Sequence, residues 1–228
     1  MAKKYLEVLA QFNFVPNDEK LFEHAFSHSS YTNEKKGNTV DYERIEYIGD
    51  GVLDLVVADL IYRNHPEMGP GPMSKLRSVL VRRESLANYA RGFGFGKAIL
   101  LGNGEKSNGG NNLDKILEDV FESFIGAVYL DQGFDFVYGL IKNVFENDVI
   151  NFNLEELTDY KSKLQEFVQA DTRETVTYRL VSEEGPAQDK TFTMEVMWDG
   201  SVWGVGKGSS KKKAEQEAAK DALNKVAR

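Results

Sequence analysis

The sequence predicts two domains, a mostly α-helical domain at residues 1–150 and an α+β domain at residues 159–228. Apolar residues in the first part recur at spacings of three and four, the period of an amphipathic helix. The second part contains a stretch rich in β-branched and aromatic residues, which predicts strands. Charge divides similarly: residues 1–159 carry 16 Lys and Arg against 25 Asp and Glu, whereas residues 160–228 carry 12 against 11. This difference favours two domains with different roles.

Several stretches define the elements of the first part. Helical spacing runs through DYERIEYIGDGVLDLVVADL at residues 41–60. LANYARGFGFG at 86–96 and ILEDVFESFIGAVYLDQG at 116–133 are also helical, and each ends at glycine, a common helix terminator. LGNGEKSNGG at 101–110 predicts a turn-rich loop. The helical pattern lapses at residues 151–158, where a short polar stretch predicts a linker.

In the second part, the residue pattern changes from helical to strand-like and back to helical. DYKSKLQEFVQ at residues 159–169 predicts a helix. Residues 175–208 are broken by Gly-Pro and Asp-Gly turns and predict three strands, in which Trp198 and Trp203 are expected to pack. SSKKKAEQEAAKDALNKVA at residues 209–227 predicts a closing helix, so the order is α-β-β-β-α.

Composition excludes several classes of protein. The chain has no cysteine, which rules out disulfides and cysteine–metal sites. Hydrophobic residues make up 41% of the chain, enough to form a core. No run of 18 apolar residues exists, so no membrane association is expected. We therefore expect a cytoplasmic protein.

The predicted helix at residues 41–60 carries acids on one face. Residues three and four apart share a helix face, and this spacing joins Glu43, Glu46, Asp50 and Asp54. Like charges about 4 Å apart repel by roughly 4 kcal/mol at an effective dielectric constant of about 20. Only Arg44 lies close enough in sequence to offset this repulsion. A solvated acidic face is the simpler interpretation, but the neighbouring residues are apolar.

Two glycines interrupt the same helix. Gly49 and Gly51 each cost a helix interior roughly 1 kcal/mol relative to alanine. Their positions beside acids predict that another group approaches the backbone closely.

A second pair of acids lies in the predicted helix at residues 116–133. Asp119 and Glu122 are three positions apart and share a face, although Glu118 competes as the partner of Glu122 by spacing alone. The rest of this helix is apolar, which predicts burial. Two buried acidic faces are expected to converge on a hard cation, and Mg²⁺ prefers oxygen ligands.

The closing helix begins with three lysines. Lys211, Lys212 and Lys213 would occupy its first turn, with Ser209 or Ser210 as the cap. Cations are unfavourable at this positive end of the helix dipole, so an anion is expected to dock there. A lysine-rich surface turn is the alternative.

The first helix of the second part offers two amides on one face. Gln165 and Gln169 are four positions apart, and such side chains suit the 2′-hydroxyls of a shallow RNA minor groove. Together with phosphate contacts from the lysines, this pattern fits an A-form duplex that is recognised by its shape.

Two other patterns are weak. His24 and His28 have the spacing of a zinc pair, but no third ligand is evident. GFGFGKA at residues 92–98 lacks the spacing and the Ser or Thr of a phosphate-binding loop, so no nucleotide cofactor is expected.

The motifs together resemble the ribonuclease III family. YERIEYIGDGVL resembles its defining motif and ILEDVFESFIGAVYLDQG its second acidic motif, while HAFSHSSYTNE and MSKLRSVLVRRESLANYA match further blocks. The second part resembles a double-stranded RNA-binding domain. The resemblance implies a homodimeric endoribonuclease that uses Mg²⁺, or Mn²⁺ in its place, to cut double-stranded RNA into products with 5′-phosphate and 3′-hydroxyl ends. It also implies roles in processing ribosomal RNA precursors and some messenger RNAs.

The resemblance assigns roles to individual residues. The catalytic, metal-binding carboxylates match Glu46, Asp50, Asp119 and Glu122. Glu43 matches a supporting acid, and Tyr47 matches an aromatic residue that enters a pocket of the partner subunit. The RNA contacts match Gln165, Gln169, Lys211 and Lys212.

The chain departs from the family pattern at two positions. Pro70 stands where the family often has a further metal-associated Glu, with Glu67 as a nearby substitute, so the number of metals per site stays open. Gln188 stands where the family commonly has His in an RNA-binding loop. Two other functions stay open: a non-cleaving RNA-binding regulator, and a magnesium enzyme that acts on small phosphates.

Overall fold

The computed structural model describes residues 4–35, 40–153, 158–171, 174–186 and 189–226. The chain forms two compact units, Met1–Asn153 and Leu154–Arg228. Within the described residues, no helix combines the length and the apolar character needed to cross a membrane.

The first unit is built from helices, as predicted. Its nine described α-helices are α1 (Lys4–Leu9), α2 (Glu19–Ala25), α3 (Ser29–Glu34), α4 (Glu43–Asn64), α5 (Pro70–Leu80), α6 (Arg83–Gly92), α7 (Asn103–Ser107), α8 (Asp114–Gln132) and α9 (Phe134–Ile150). The stretches at 41–60 and 116–133 correspond to α4 and α8, whereas the stretch at 86–96 overlaps α6, which ends at Gly92 and not at Gly96. Helix α8 is followed by Gly133, whose φ of 85° is unfavourable for other residues.

The contact between α4 and α8 depends on two glycines. A Cβ added to Gly49 would lie 1.8 Å from the carbonyl oxygen of Glu122, and one added to Gly126 would lie 2.3 Å from that of Ile45. The two backbones are therefore in direct contact. The predicted close approach is confirmed at Gly49, where the approaching group is the chain's own α8. At Gly51 it stays a prediction, since an added Cβ would meet no described residue of the chain within 4 Å.

Aromatic residues form the core beside this contact. Phe95, Phe121 and Phe124 are completely buried, and the ring centroids of Phe95 and Phe124 are 5.2 Å apart. Phe26 packs on Phe95 with centroids 5.3 Å apart. Because such rings bury a large apolar area each, this cluster holds α8 in a defined position against the unit.

The prediction of a turn-rich loop at residues 101–110 is only partly correct. This stretch contains the short helix α7 as well as turns, and it is held by side chains of α3. The backbone N–H of Gly102 donates to Ser30 Oγ at 3.0 Å, and that of Asn103 donates to Glu34 Oε1 at 2.8 Å. Spacing did not reveal α7 because its stability comes from these distant partners.

The second unit has the predicted order α-β-β-β-α. Helix α10 (Tyr160–Asp171) precedes strands β1 (Thr177–Glu184), β2 (Thr191–Trp198) and β3 (Ser201–Gly208), and α11 (Lys211–Val226) closes the chain. The sheet is antiparallel with β2 in the centre. Trp198 and Trp203 pack edge-to-face with ring centroids 4.3 Å apart, which confirms their predicted packing role.

Small residues bring α11 onto β3. Added Cβ atoms at Gly204 and Gly206 would lie 2.3 Å from the carbonyl oxygen and 2.1 Å from the amide nitrogen of Ala218, respectively. Ala218 and Ala222 are completely buried on the facing side of the helix. This close contact leaves the first turn of α11 exposed.

Candidate functional site

Three carboxylates from α4 and α8 converge in the first unit. Glu46 comes from α4, and Asp119 and Glu122 come from α8; one potential ligand atom from each lies within 4.8 Å of those of the other two. Asp119 is 6% exposed, and the other two are half-buried. The α4–α8 contact at Gly49 and Gly126 brings these residues together, since larger side chains there would separate the helices.

The carboxylates lie in a cleft of about 650 Å³. Its lining also includes Glu43, Tyr47 and Asp50, all of which the sequence had singled out. Asp50 lines the cleft without belonging to the group of three. Asp54 does not line it and instead forms an ion pair with Arg77 at 3.6 Å.

Burial and mutual repulsion perturb the acids. Burial raises the pKa of Glu122 to about 8, with further contributions from Asp50, Glu118, Glu46 and Asp119. Burial, followed by the charge of Asp119, raises the pKa of Glu46 to about 7, although Lys115 opposes this shift. Burial also raises the pKa of Asp50. All three shifts indicate that this cleft favours protons or cations.

Two neighbours of Asp119 were not predicted from the sequence. The hydroxyl of Tyr42 donates to Asp119 Oδ2 at 3.2 Å, and the ammonium of Lys115 donates to Oδ1. The hydrogen bond from Lys115 raises the pKa of this lysine, and burial together with Asp119 raises the pKa of Tyr42. The four-residue spacing between Lys115 and Asp119 could have indicated the Lys115 contact. No local signal indicated the Tyr42 contact.

The structure distinguishes Glu118 from Asp119, the two candidate partners of Glu122. Glu118 accepts a hydrogen bond from Arg83 Nε at 2.7 Å and lies outside the group of three. Asp119 faces α4 instead. Spacing could not separate the two because Arg83 lies 35 residues away.

The donor set fits a hard divalent cation. The group offers only carboxylate oxygens, and a bound cation would relieve the repulsion among them. No histidine belongs to it in the described part of the chain, and His28 Nδ1 instead accepts from the backbone N–H of Ser30 at 3.1 Å, capping α3. The zinc pair is therefore not supported. Pro70 begins α5, and Glu67 is exposed and does not line the cleft.

Helix α4 carries an exposed apolar face beside the cleft. Tyr47 is 82% exposed, so it does not pack inside its own chain. Leu55 and Tyr62, eight and fifteen positions further along the same helix, are also exposed. Such a face is unusual for an isolated unit and is a candidate surface for another chain.

The residues of the second unit that were predicted to contact RNA differ in their exposure. Lys211, Lys212 and Lys213 are all exposed in the first turn of α11, where Ser210 Oγ accepts from the backbone N–H of Lys213 at 3.2 Å. Gln169 is exposed. Gln165 is half-buried: its amide donates to the carbonyl of Glu174 and accepts from the N–H of Val176, both at 3.2 Å. Gln188 lies outside the described residues.

Comparison with known proteins links both units to defined families. The family model described as "Ribonuclease-III-like" matches residues 18–149, and that described as "Double-stranded RNA binding motif" matches residues 160–226. The chain is 43% identical to Ribonuclease 3 of Lactococcus lactis subsp. cremoris (strain SK11) over 224 residues, which cover 98% of this chain and 97% of that protein. Ribonuclease 3 of Streptococcus sanguinis (strain SK36) is 45% identical over 219 residues, with coverage of 96% and 94%.

Solved structures agree with these matches. The nuclease domain of ribonuclease III from Campylobacter jejuni aligns with a TM-score of 0.59 and 33% identity, covering 66% of this chain and 99% of that chain. A second structure of that domain, solved to show structural flexibility in a region involved in dimer formation, aligns with a TM-score of 0.57. The alignment covers 64% of this chain and 96% of that chain. The chain therefore belongs to the ribonuclease III family of double-stranded RNA endoribonucleases.

Proposed function

We propose that this protein is a Mg²⁺-dependent endoribonuclease that hydrolyses phosphodiester bonds of double-stranded RNA, leaving 5′-phosphate and 3′-hydroxyl ends. The observation that carries the proposal is the convergence of Glu46, Asp119 and Glu122 in one cleft, in a chain that also matches a double-stranded RNA-binding motif. We assign catalysis to residues 1–150, a linker to 151–158 and RNA binding to 159–228.

Some cleft residues would bind the cation, and others would support these ligands. Glu46, Asp119 and Glu122 would hold the cation, and we assign a supporting share in this role to Asp50, which lines the same cleft. When bound, such a cation supplies Lewis acidity toward the phosphate and lowers the pKa of a bound water molecule. Glu43, at the exposed edge of the cleft, would add negative charge that attracts the cation. The buried phenylalanines on α8 and beside it would hold this helix, and with it Asp119 and Glu122, in place.

The second unit would hold the duplex by its shape. Lys211, Lys212 and Lys213 are exposed at a helix N-terminus, where backbone N–H groups and ammonium groups can bind phosphate together. Gln169 is free to reach 2′-hydroxyls, whereas Gln165 would have to give up its contacts with the segment before β1. These contacts carry no base information, so binding would be largely independent of sequence.

A homodimer would supply one cleft for each RNA strand. Tyr47 lines the cleft yet exposes 82% of its surface, and the apolar face continues along α4 through Leu55 and Tyr62. We propose that Tyr47 enters a pocket of a second copy. This role would couple the two clefts through one interface.

The cellular role follows from the family resemblance. We propose that the protein acts in the cytoplasm on ribosomal RNA precursors and some messenger RNAs. A non-cleaving RNA-binding regulator is less well supported, because all four carboxylates are present and line one cleft. An enzyme that acts on small phosphates would leave the second unit without a role.

Incubation of a duplex RNA with the protein separates these functions. We expect cleavage with Mg²⁺ or Mn²⁺, none with EDTA, and none of the matching single strand. Products should be ligatable at their 5′ ends without prior phosphorylation. Retained binding without cleavage in either metal would favour the regulator, and hydrolysis of small phosphates alone would favour the third function.

A further inference from the structure

Asp119 is held by two different kinds of partner. Among the three converging carboxylates it is the least exposed, at 6%, and both of its oxygens accept a hydrogen bond. One donor is a buried phenol and the other is an ammonium on a long, partly exposed side chain. This asymmetry suggests that the two contacts serve different purposes.

Tyr42 links the two helices that carry the carboxylates. Its hydroxyl donates to Asp119 Oδ2 on α8, while its carbonyl accepts from the N–H of Glu46, 2.8 Å away on α4. Its own N–H donates to the carbonyl of Ser27 at 3.0 Å, and the residue is 4% exposed. A residue held at so many points has little freedom, so it can fix the orientation of the Asp119 carboxylate.

Lys115 makes a contact that can be broken more easily. Its ammonium pairs with Asp119 Oδ1 from one turn earlier on α8, and its side chain is 58% exposed. The side chain can therefore turn to water without disturbing the core. It also lines the cleft, where its charge partly offsets the neighbouring acids.

We propose that Tyr42 and Lys115 are positioning residues for Asp119, Tyr42 as a permanent holder of Oδ2 and Lys115 as an exchangeable counter-ion at Oδ1 that withdraws when a divalent cation binds. The inference rests on the proposed metal site. It deepens that site by naming what neutralises the carboxylate before the cation arrives.

The two roles predict opposite effects on metal affinity. Removing the Tyr42 hydroxyl frees the Asp119 carboxylate to rotate. Loss of a hydrogen bond to a metal ligand typically weakens metal binding by about tenfold or more. Removing the Lys115 ammonium eliminates a positive charge that competes with the cation. For a partly exposed charge worth up to about 1 kcal/mol, the gain in affinity is about threefold to fivefold.

The test is a titration of the full-length protein with Mg²⁺ and with Mn²⁺ in the absence of RNA, by calorimetry and by metal-dependent thermal unfolding. Tyr42→Phe keeps the ring and should weaken binding by about tenfold. Lys115→Met should tighten it by about threefold to fivefold, with a larger rise in Tm on metal addition. Lys115→Arg keeps the charge and should restore the parent affinity.

Matched controls remove the same functional groups, a tyrosine hydroxyl and a lysine ammonium, at positions away from the cleft. Tyr138→Phe deletes a hydroxyl that donates to Asp59, also on α4, at 2.7 Å. Lys142→Met deletes an ammonium that pairs with Glu146 four positions later on α9. Both controls should bind metal like the parent.

The outcomes separate this inference from the metal site itself. If the parent binds no divalent cation, the proposed site is wrong and this inference falls with it. If the parent binds metal but Tyr42→Phe binds it equally well, the holder role of Tyr42 is wrong. Unchanged or weaker binding by Lys115→Met would overturn the exchange role of Lys115.

Discussion

Both units use glycine to bring two backbones into contact, yet they place their functional groups differently. In the first unit, Gly49 and Gly126 join α4 to α8, and the same contact draws partly buried carboxylates together. In the second unit, Gly204 and Gly206 join β3 to α11, and the contact buries the alanines of α11 in an apolar cluster. The three lysines of the first turn of α11 lie outside this contact and are exposed.

This difference couples stability to function in only one unit. A buried carboxylate cluster costs free energy because its members lose water and repel one another, as the raised pKa values of Glu46 and Glu122 show. Exposed lysines cost little because water and salt screen them. Substitutions at the buried carboxylates should therefore affect folding and activity together, and substitutions at the lysines should affect binding alone.

The strongest test of this contrast is Glu122→Ala. We expect cleavage of duplex RNA to fall on the order of 10³-fold or more, because several kcal/mol of charge stabilisation depend on the metal ligands. Duplex binding should persist, since binding would reside in the second unit. Single-turnover cleavage and a gel-shift titration measure the two separately, and turnover near the parent rate in Mg²⁺ would remove Glu122 from the catalytic set.

The next test addresses the α4–α8 contact. Gly49→Ala would force a Cβ against the backbone of Glu122, and we expect a loss of about 3 kcal/mol in the free energy of unfolding. Gly139→Ala on α9 is the matched control, because its Cβ would meet no described residue within 4 Å. The control should be neutral or stabilise by up to about 1 kcal/mol through helix propensity. Urea denaturation measures both, and equal stability of the two variants would contradict the importance of the contact.

Tyr47→Ala probes the exposed face of α4. If Tyr47 anchors a second copy, the variant should lose about 2 kcal/mol of dimer affinity, as expected for an aromatic hot spot. It should stay folded, because 82% of the side chain is exposed and little intrachain packing is lost. Sedimentation over a range of concentrations measures the shift. A fully dimeric variant with normal cleavage of both strands would leave the anchor role without support.

The smallest effect is expected at the lysines of α11. Lys211→Ala combined with Lys212→Ala should weaken binding of all duplex sequences alike and reduce the slope of log K against log salt by roughly one to two, because phosphate contacts release counterions. Lys225→Ala serves as a control, since its ammonium already pairs with Asp221 at 2.6 Å. An unchanged slope in the double variant would show that these lysines do not contact phosphates. Unfolding should be nearly unaffected.

Much of the fold could be predicted because the signals are local. The period of three and four identified α4, α6 and α8, and the change to strand-forming residues identified the second unit. Glu43, Glu46 and Asp50 could be placed on one side of α4 before any tertiary contact was known. Helix α7 was missed because its stabilising partners, Ser30 and Glu34, lie about 70 residues away.

The sequence by itself determined which acids share a helix face and that α8 ends before Gly133, because these signals are local to a few residues. Only the tertiary structure decided which faces meet. It paired Glu118 with Arg83 and turned Asp119 toward Glu46, and it brought Tyr42 to Asp119 across 77 residues. It also gave Gly49 a close neighbour while leaving Gly51 with none among the residues that the structure describes. Such contacts depend on how whole helices pack, and packing is a property of the assembled core that no short window of sequence contains.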